Sequence, residues 1–227
     1  MNFIKTINLK ITACICATLL ITSGAFAQDK EEKRIETATV ALADFGKMKE
    51  SIPSELLAVT NGIIVVPKLI NAGFVVGGKR GRGIAMVKKA DGSWSNPVFV
   101  TITGGSFGLQ IGVQSVELVL VFKHATSLTD IKKSSFTLGG DLSVAAGPVG
   151  RSSSANTDYK LDAEVYSYSR SKGLFAGLSL NGAALAVDTA ANTAFYGKEM
   201  SANTIFNAEN SSDAKVKELK ETLSLMK

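Results

Sequence analysis

Glycine placement constrains this chain more than any other feature. Of its 21 glycines, 19 fall between Gly62 and Gly197. Between them run short apolar stretches with the two-residue alternation of strands. Val98, Val100 and Ile102 alternate with Phe99, Thr101 and Thr103, and Phe107, Leu109, Ile111 and Val113 alternate with Gly108, Gln110, Gly112 and Gln114. Glu117 to Phe122 is continuously apolar after its first residue, the pattern of a strand buried on both faces. Glycine inside a strand costs stability unless the backbone must curve or approach a neighbour closely. So many in one sheet imply strong curvature, toward a closed or nearly closed barrel.

The two ends have a different texture. Gln28 to Lys49 is charged, with Ile35, Leu42, Phe45 and Met48 spaced for one helical face. Two readings compete for that stripe: packing onto a core, or lying on a membrane as an interfacial helix. The interleaved Glu and Asp residues weaken the second. Ile52-Pro53 breaks the helix, and a short helix through Leu56, Leu57 and Val59 follows, with Asn61-Gly62 as its left-handed end. Asp91-Gly92 marks a hairpin turn. Thr126 to Lys132 suits a short helix, and Leu174 to Asn181 another strand. From Ser212, Val216, Leu219 and Leu223 form one side of an amphipathic helix. The expected architecture is a single α+β domain, a large curved and mainly antiparallel sheet with flanking N- and C-terminal helices. Its divisions are 1–27, a leader; 28–51, a helical segment; 52–198, the sheet domain; and 199–227, a helical tail.

The leader is read from Lys5 and Lys10, the apolar run Ile11 to Ile21, and Ala25-Phe26-Ala27 as an A-x-A site, with cleavage after Ala27. The run is too short for a good membrane span, which needs about 18 apolar residues. This predicts a periplasmic or secreted protein. A lipoprotein signal ending at Cys14 is the rival, but most of the apolar run follows Cys14, where a lipobox should end it. Both cysteines, Cys14 and Cys16, would leave with the leader, and so would any thiol chemistry. Cleavage leaves 23 basic and 20 acidic residues, a mild positive balance that implies no nucleic-acid reader.

Few constellations carry chemistry. Gly104-Gly105-Ser106-Phe107-Gly108 matches G-x-S-x-G, but that motif needs a strand, a tight turn and a helix, whereas a strand pattern follows Ser106. His124, the single histidine, and Glu117 would crowd the same strand, a poor triad. A Gly-rich turn is the plainer reading of 104–108. No metal or other cofactor is implied. The segment Gly77-Gly78-Lys79-Arg80-Gly81-Arg82-Gly83 stands out more. It reads as a loop between apolar strands, and its backbone N–H groups and cations suit phosphate or carboxylate.

Several blocks taken in order resemble the SYLF family: Ile52-Pro53 to Leu57; Gly62-Ile63-Ile64-Val65-Val66-Pro67; Gly81-Arg82-Gly83; Asp91-Gly92-Ser93-Trp94; Gly104 to Gly112; Tyr168-Ser169-Arg170-Ser171-Lys172-Gly173; and Tyr196-Gly197-Lys198. The resemblance implies a non-catalytic lipid-binding domain, with phosphoinositides the ligands of eukaryotic members. Carried onto this chain it implies Lys79, Arg80 and Arg82 as headgroup contacts, and Ile35, Leu42, Phe45 and Met48 as the bilayer-facing helix. The implied partner is an anionic lipid or membrane surface. An envelope protein acting through protein–protein contacts is the alternative, and a hydrolase using Ser106 the third.

Overall fold

The computed structural model describes residues 28–48, 52–129, 135–147, 163–172, 174–175 and 178–226, with only the backbone of 74–75, 106–111 and 175. The leader, its cleavage site, Cys14 and the whole polar stretch 150–158 lie outside the described residues.

Helix α1 spans 28–47. Pro53 caps α2 (Ser54–Ala58), where its fixed φ and missing N–H cost nothing. The chain leaves α2 through Val59 at φ −92°, so no left-handed residue ends it. Instead the Asn61 amide donates to Val59 O and to Lys123 O, and Gly62 begins the sheet.

Two very long strands dominate: β1 (Gly62–Val87) and β2 (Val98–Phe122). They pair antiparallel from Gly62↔Phe122 to Ala85↔Val98. The turn between them is the expected one, with Lys88 bridged to Trp94 and Gly92 at φ +81°. Then come α3 (Thr126–Thr129), β3 (Ser135–Leu138), β4 (Val144–Ala146), β5 (Val165–Ser171), β6 (Leu174–Phe175), β7 (Ala183–Val187), α4 (Thr189–Tyr196), α5 (Ala202–Asn207) and α6 (Ala214–Leu225). The strands form one curled half-barrel sheet in the order β3-β7-β2-β5-β4, with β1 on β2 and β6 on β5. All pairs are antiparallel except β4 with β5.

Three expectations are corrected here. The segment 77–83 is not a loop: each of its residues pairs with 100–106 across the ladder. Nor is 104–108 a turn, since β2 runs through it and Ser106 lies opposite Gly77. And the strand expected over 174–181 is, among the described residues, only the two-residue β6; the longer strand is β7. The glycines misled because they signal close approach here, not chain reversal. A Cβ on Gly83 would sit 2.2 Å from Val65 O, and one on Gly81 2.6 Å from Val66 Cγ1. The curl brings the second half of β1 back over its own first half, and only glycine leaves room. Two register shifts help it bend. One follows Val66, where Pro67 cannot donate to the ladder, and one lies between Gly73 and Val75, across from Gly112 at φ +144°.

Both faces of this sheet are covered over 63–66 and 118–122. Ile63, Val65, Val119 and Val121 face Ile35, Leu42, Phe45, Leu56, Leu219 and Leu223 of α1, α2 and α6. Their neighbours Ile64, Val66, Leu118, Leu120 and Phe122 face the other way, toward Leu128, Leu185, Ile205 and Phe206. Sequence alternation thus maps onto two cores. Helix α4 is pinned to the sheet by Asn192, only 1% exposed. Its Oδ1 accepts from Phe99 N at 2.9 Å and its Nδ2 donates to Phe99 O at 3.0 Å, so the amide acts as one more strand residue. Replacing Asn192 with leucine is expected to cost about 2–4 kcal/mol, because a buried N–H loses its side-chain partner; urea unfolding measures it, and a loss under about 1 kcal/mol would refute the pinning role.

Candidate functional site

A groove of about 910 Å³ opens between α1 and the edge of the curled sheet. Lys30, Lys33, Arg34 and Thr37 reach it from α1, at the spacing that puts residues on one helical face. From β1 come Lys68, Arg80 and Arg82, the last two separated by one residue and so on the same face. Arg170 and Lys172 close it from β5 and the turn after it. Eight cations therefore line the groove against two carboxylates, Asp44 and Glu117.

Two of the eight hold the helix to the sheet. Arg170 Nη2 donates to Asp44 Oδ2 at 2.8 Å and its Nε donates to Glu117, while its guanidinium stacks on Phe45 at 5.3 Å. Arg34 contacts Glu31 at 2.7 Å and Asp188 at 3.4 Å, and stacks on Phe99 at 5.3 Å. Each arginine thus has two carboxylates and an aromatic face, which leaves it little attraction for a ligand. Removing Arg170 would strand Asp44 and Glu117 together. Lys30, Lys33, Lys68, Arg80 and Lys172 have no ion pair among the described residues. Arg82 is 3.8 Å from Asp188 with its side chain 45% exposed, a weak contact. Lys172 has φ +52°, a left-handed conformation costly for a residue with a Cβ. The surrounding structure imposes that conformation on a lysine that lines the groove.

The residues named from sequence separate. Arg80 and Arg82 are exposed and line the groove. Lys79 points to the opposite face, is only 6% exposed, and donates its ammonium to Ser179 O. Burial holds its pKa below the ordinary lysine value. Ile35, Leu42 and Phe45 are fully buried in the core, and Met48 packs against it, so in this fold they offer no apolar face to a bilayer. The serine-hydrolase constellation does not assemble. Glu117 is engaged by Arg170, and His124 Nδ1 lies 2.9 Å from Glu164 Oε1 at the far end of β2. Among the described residues no cluster of His, Cys, Asp or Glu could hold a metal, and no helix is long and apolar enough to cross a membrane.

The family model described as "Ysc84: Las17-binding protein actin regulator" matches residues 103–226, more than half the chain. The chain belongs to the Ysc84 (SYLF) family. It is 34% identical over 173 residues to the SH3 domain-containing YSC84-like protein 1 of Bos taurus, covering 76% of this chain and 50% of that one. The Xenopus laevis protein of that name is 36% identical over 149 residues, 65% of this chain and 44% of its own length. LAS seventeen-binding protein 3 of Saccharomyces cerevisiae is 33% identical over 159 residues, 69% of this chain and 34% of its own. The chain thus spans about half the length, or less, of these relatives. The yeast relative's name describes a binding protein and the family description a binding protein and actin regulator, consistent with a non-enzymatic role.

Sequence reasoning missed Lys30, Lys33, Lys68 and Lys172. A signal existed for the first two: they recur with Arg34 and Thr37 at helical spacing beside the apolar stripe. Nothing in the sequence ties them to a turn near residue 172. If the groove is the anion site, Arg80→Gln and Arg82→Gln are expected to weaken anion binding several-fold each, and Lys79→Met to leave it unchanged. Titration of each variant with a soluble inositol polyphosphate checks this; equal losses from all three would contradict the groove.

Proposed function

We propose that this Ysc84-family chain is a non-catalytic binding module that holds phosphate-bearing anionic lipid headgroups in the groove between α1 and the β1–β5 edge. The observation that carries the reading is the convergence of six cations lacking strong ion pairs on one concave surface, from three separated parts of the chain. Guanidinium forks and lysine ammonium groups recognise phosphate oxygens well. The contacts come from the exposed strand face of Arg80 and Arg82 with Lys30, Lys33, Lys68 and Lys172. The apolar stripe of α1 supports the groove from behind.

Each cation near an anionic surface contributes roughly 1 kcal/mol, so Lys33→Gln, Arg80→Gln and Lys172→Gln together are expected to weaken attachment about 100-fold. The measurement is flotation of Gln28–Lys227, which contains every described element, with phosphatidylcholine vesicles and with vesicles containing phosphatidylserine, at low and high salt. Binding only to the anionic vesicles, reduced by salt and by the triple change, supports the proposal. Equal binding to both vesicles, or none, counts against it.

One observation favours a second reading. The yeast relative is named for binding a protein, LAS seventeen. A protein partner of this chain would remain bound when the groove cations are replaced, unless it is itself acidic. The export reading is also kept as a proposal: residues 1–27 are removed and the domain works in the periplasm or outside the cell. Mass spectrometry of the protein recovered outside the cytoplasm should show an N-terminus at Gln28, and a retained Met1 would argue against it.

A further inference from the structure

Beyond the groove, the geometry points to a separate membrane-inserting element: the bent tip of the β1–β2 ribbon together with the β5–β6 turn, which enters the bilayer beside the anionic headgroups. The inference rests on the membrane reading above and deepens it.

Three observations carry it. The first is the ladder. β2 pairs with β7 through Val100–Thr103 and with β5 through Glu117–Phe122. Between those stretches, among the described residues, it pairs only with β1, as a two-stranded ribbon around residues 70–78 and 105–115. At those two stretches β2 is paired on its other edge as well, with β7 or β5.

The second is where apolar side chains are exposed. Seven large ones are exposed among the described residues, and four are here: Ile70 at 39%, Val76 at 62%, Val113 at 77% and Leu174 at 74%. They share a neighbourhood. Ile70 pairs with Ser115 and Ala72 with Val113, while Ser171, which pairs with Leu174, donates its hydroxyl to Ser115 O. The other valines and leucines of β1 and β2 with described side chains are nearly fully buried, so Ile70, Val76 and Val113 depart from the pattern of their own strands.

The third is charge. Ile70 lines the basic groove beside Lys68, and Lys172 precedes Leu174 by two residues in the same turn. Exposed apolar residues on the ribbon, with Lys68 and Lys172 beside them, match the two chemistries of an anionic bilayer, hydrocarbon and phosphate. A protein partner would have to be both apolar and acidic to match the same surface, whereas an anionic bilayer supplies both chemistries.

The test separates insertion from headgroup binding. In Gln28–Lys227, Val76→Thr, Val113→Thr and Leu174→Ser remove apolar surface without adding charge, at positions so exposed that folding is unaffected. Flotation with phosphatidylserine-containing vesicles is expected to weaken about 100-fold, while titration with a soluble inositol polyphosphate is unchanged. A second variant, Val113→Trp, is expected to show fluorescence quenched by vesicles with brominated acyl chains, above the background of the buried Trp94. If the three apolar changes leave flotation intact and the introduced indole is unquenched while the groove variants abolish binding, the ribbon does not insert and the groove reading stands alone. If the unaltered protein does not float, both fall.

Discussion

Gly83→Ala is expected to destabilise the protein by several kcal/mol, enough to leave it largely unfolded at physiological temperature. The added Cβ would lie 2.2 Å from Val65 O and 2.9 Å from Val66 Cγ2. A side-chain tip can rotate away, but a carbonyl in a ladder cannot, and residue 65 is fixed by pairing with Val119. Relief therefore means opening the curl that closes the half-barrel. Ordinary overpacking costs about 1–3 kcal/mol, and a backbone collision should exceed that. The loss of unfolded-chain freedom on going from glycine to alanine returns only about 0.4–1 kcal/mol. Gly105 supplies the control, because a Cβ there meets nothing within 4 Å. Urea midpoints of Gly83→Ala and Gly105→Ala should differ widely; similar midpoints would show that the curl is not closed by glycine contact.

Phe45→Ala should cost about 3–5 kcal/mol, the usual range for emptying a fully buried aromatic site, and lower Tm by roughly 10 °C for a chain of this size. Phe45 is 0% exposed and also carries the Arg170 guanidinium on its face. The change would loosen the arginine that ties Asp44 to Glu117. The experiment doubles as a test of what α1 does. A helix whose apolar stripe lay in a membrane would lose vesicle affinity on this substitution and keep its Tm. A helix that is part of the core should lose Tm, with vesicle binding retained at temperatures where the variant is still folded. Measuring both quantities on one preparation discriminates the cases.

Much of the fold was legible because its signals are local. Pro53 starts α2, where its fixed φ suits the helix N-terminus. Asp91-Gly92 turns the chain because glycine accepts φ +81° there. The stripe Val216, Leu219, Leu223 forms α6 and is buried as expected. Helices α4 and α5 have no counterpart in the sequence reading. Each is short and capped, Asp188 accepting from Ala191 N and Ser201 from Thr204 N, and the buried stripe of α5 is only Ala202, Ile205 and Phe206. The family blocks also stand in the sequence, and they anticipated a relationship that the similarity to the Ysc84 proteins bears out.

The candidate site divides along the same line. Period-two alternation and glycine density determined a curved sheet buried on both faces, because each residue's face follows from its own strand's pleat. The sequence also marked 77–83 as unusually basic. It could not tell that segment's glycines from turn glycines, because their role depends on Val65 and Val66, far back along the same strand, lying against them. Nor could it show that Lys79 turns inward while Arg80 and Arg82 turn out, a choice made by the register with β2. Tertiary structure alone decided that Lys33, Arg80 and Lys172 share one groove. Their proximity comes from the curl of β1, the packing of α1 on its apolar stripe, and the pairing of β5 with β2, and electrostatic attraction between such distant groups leaves no local trace in the chain.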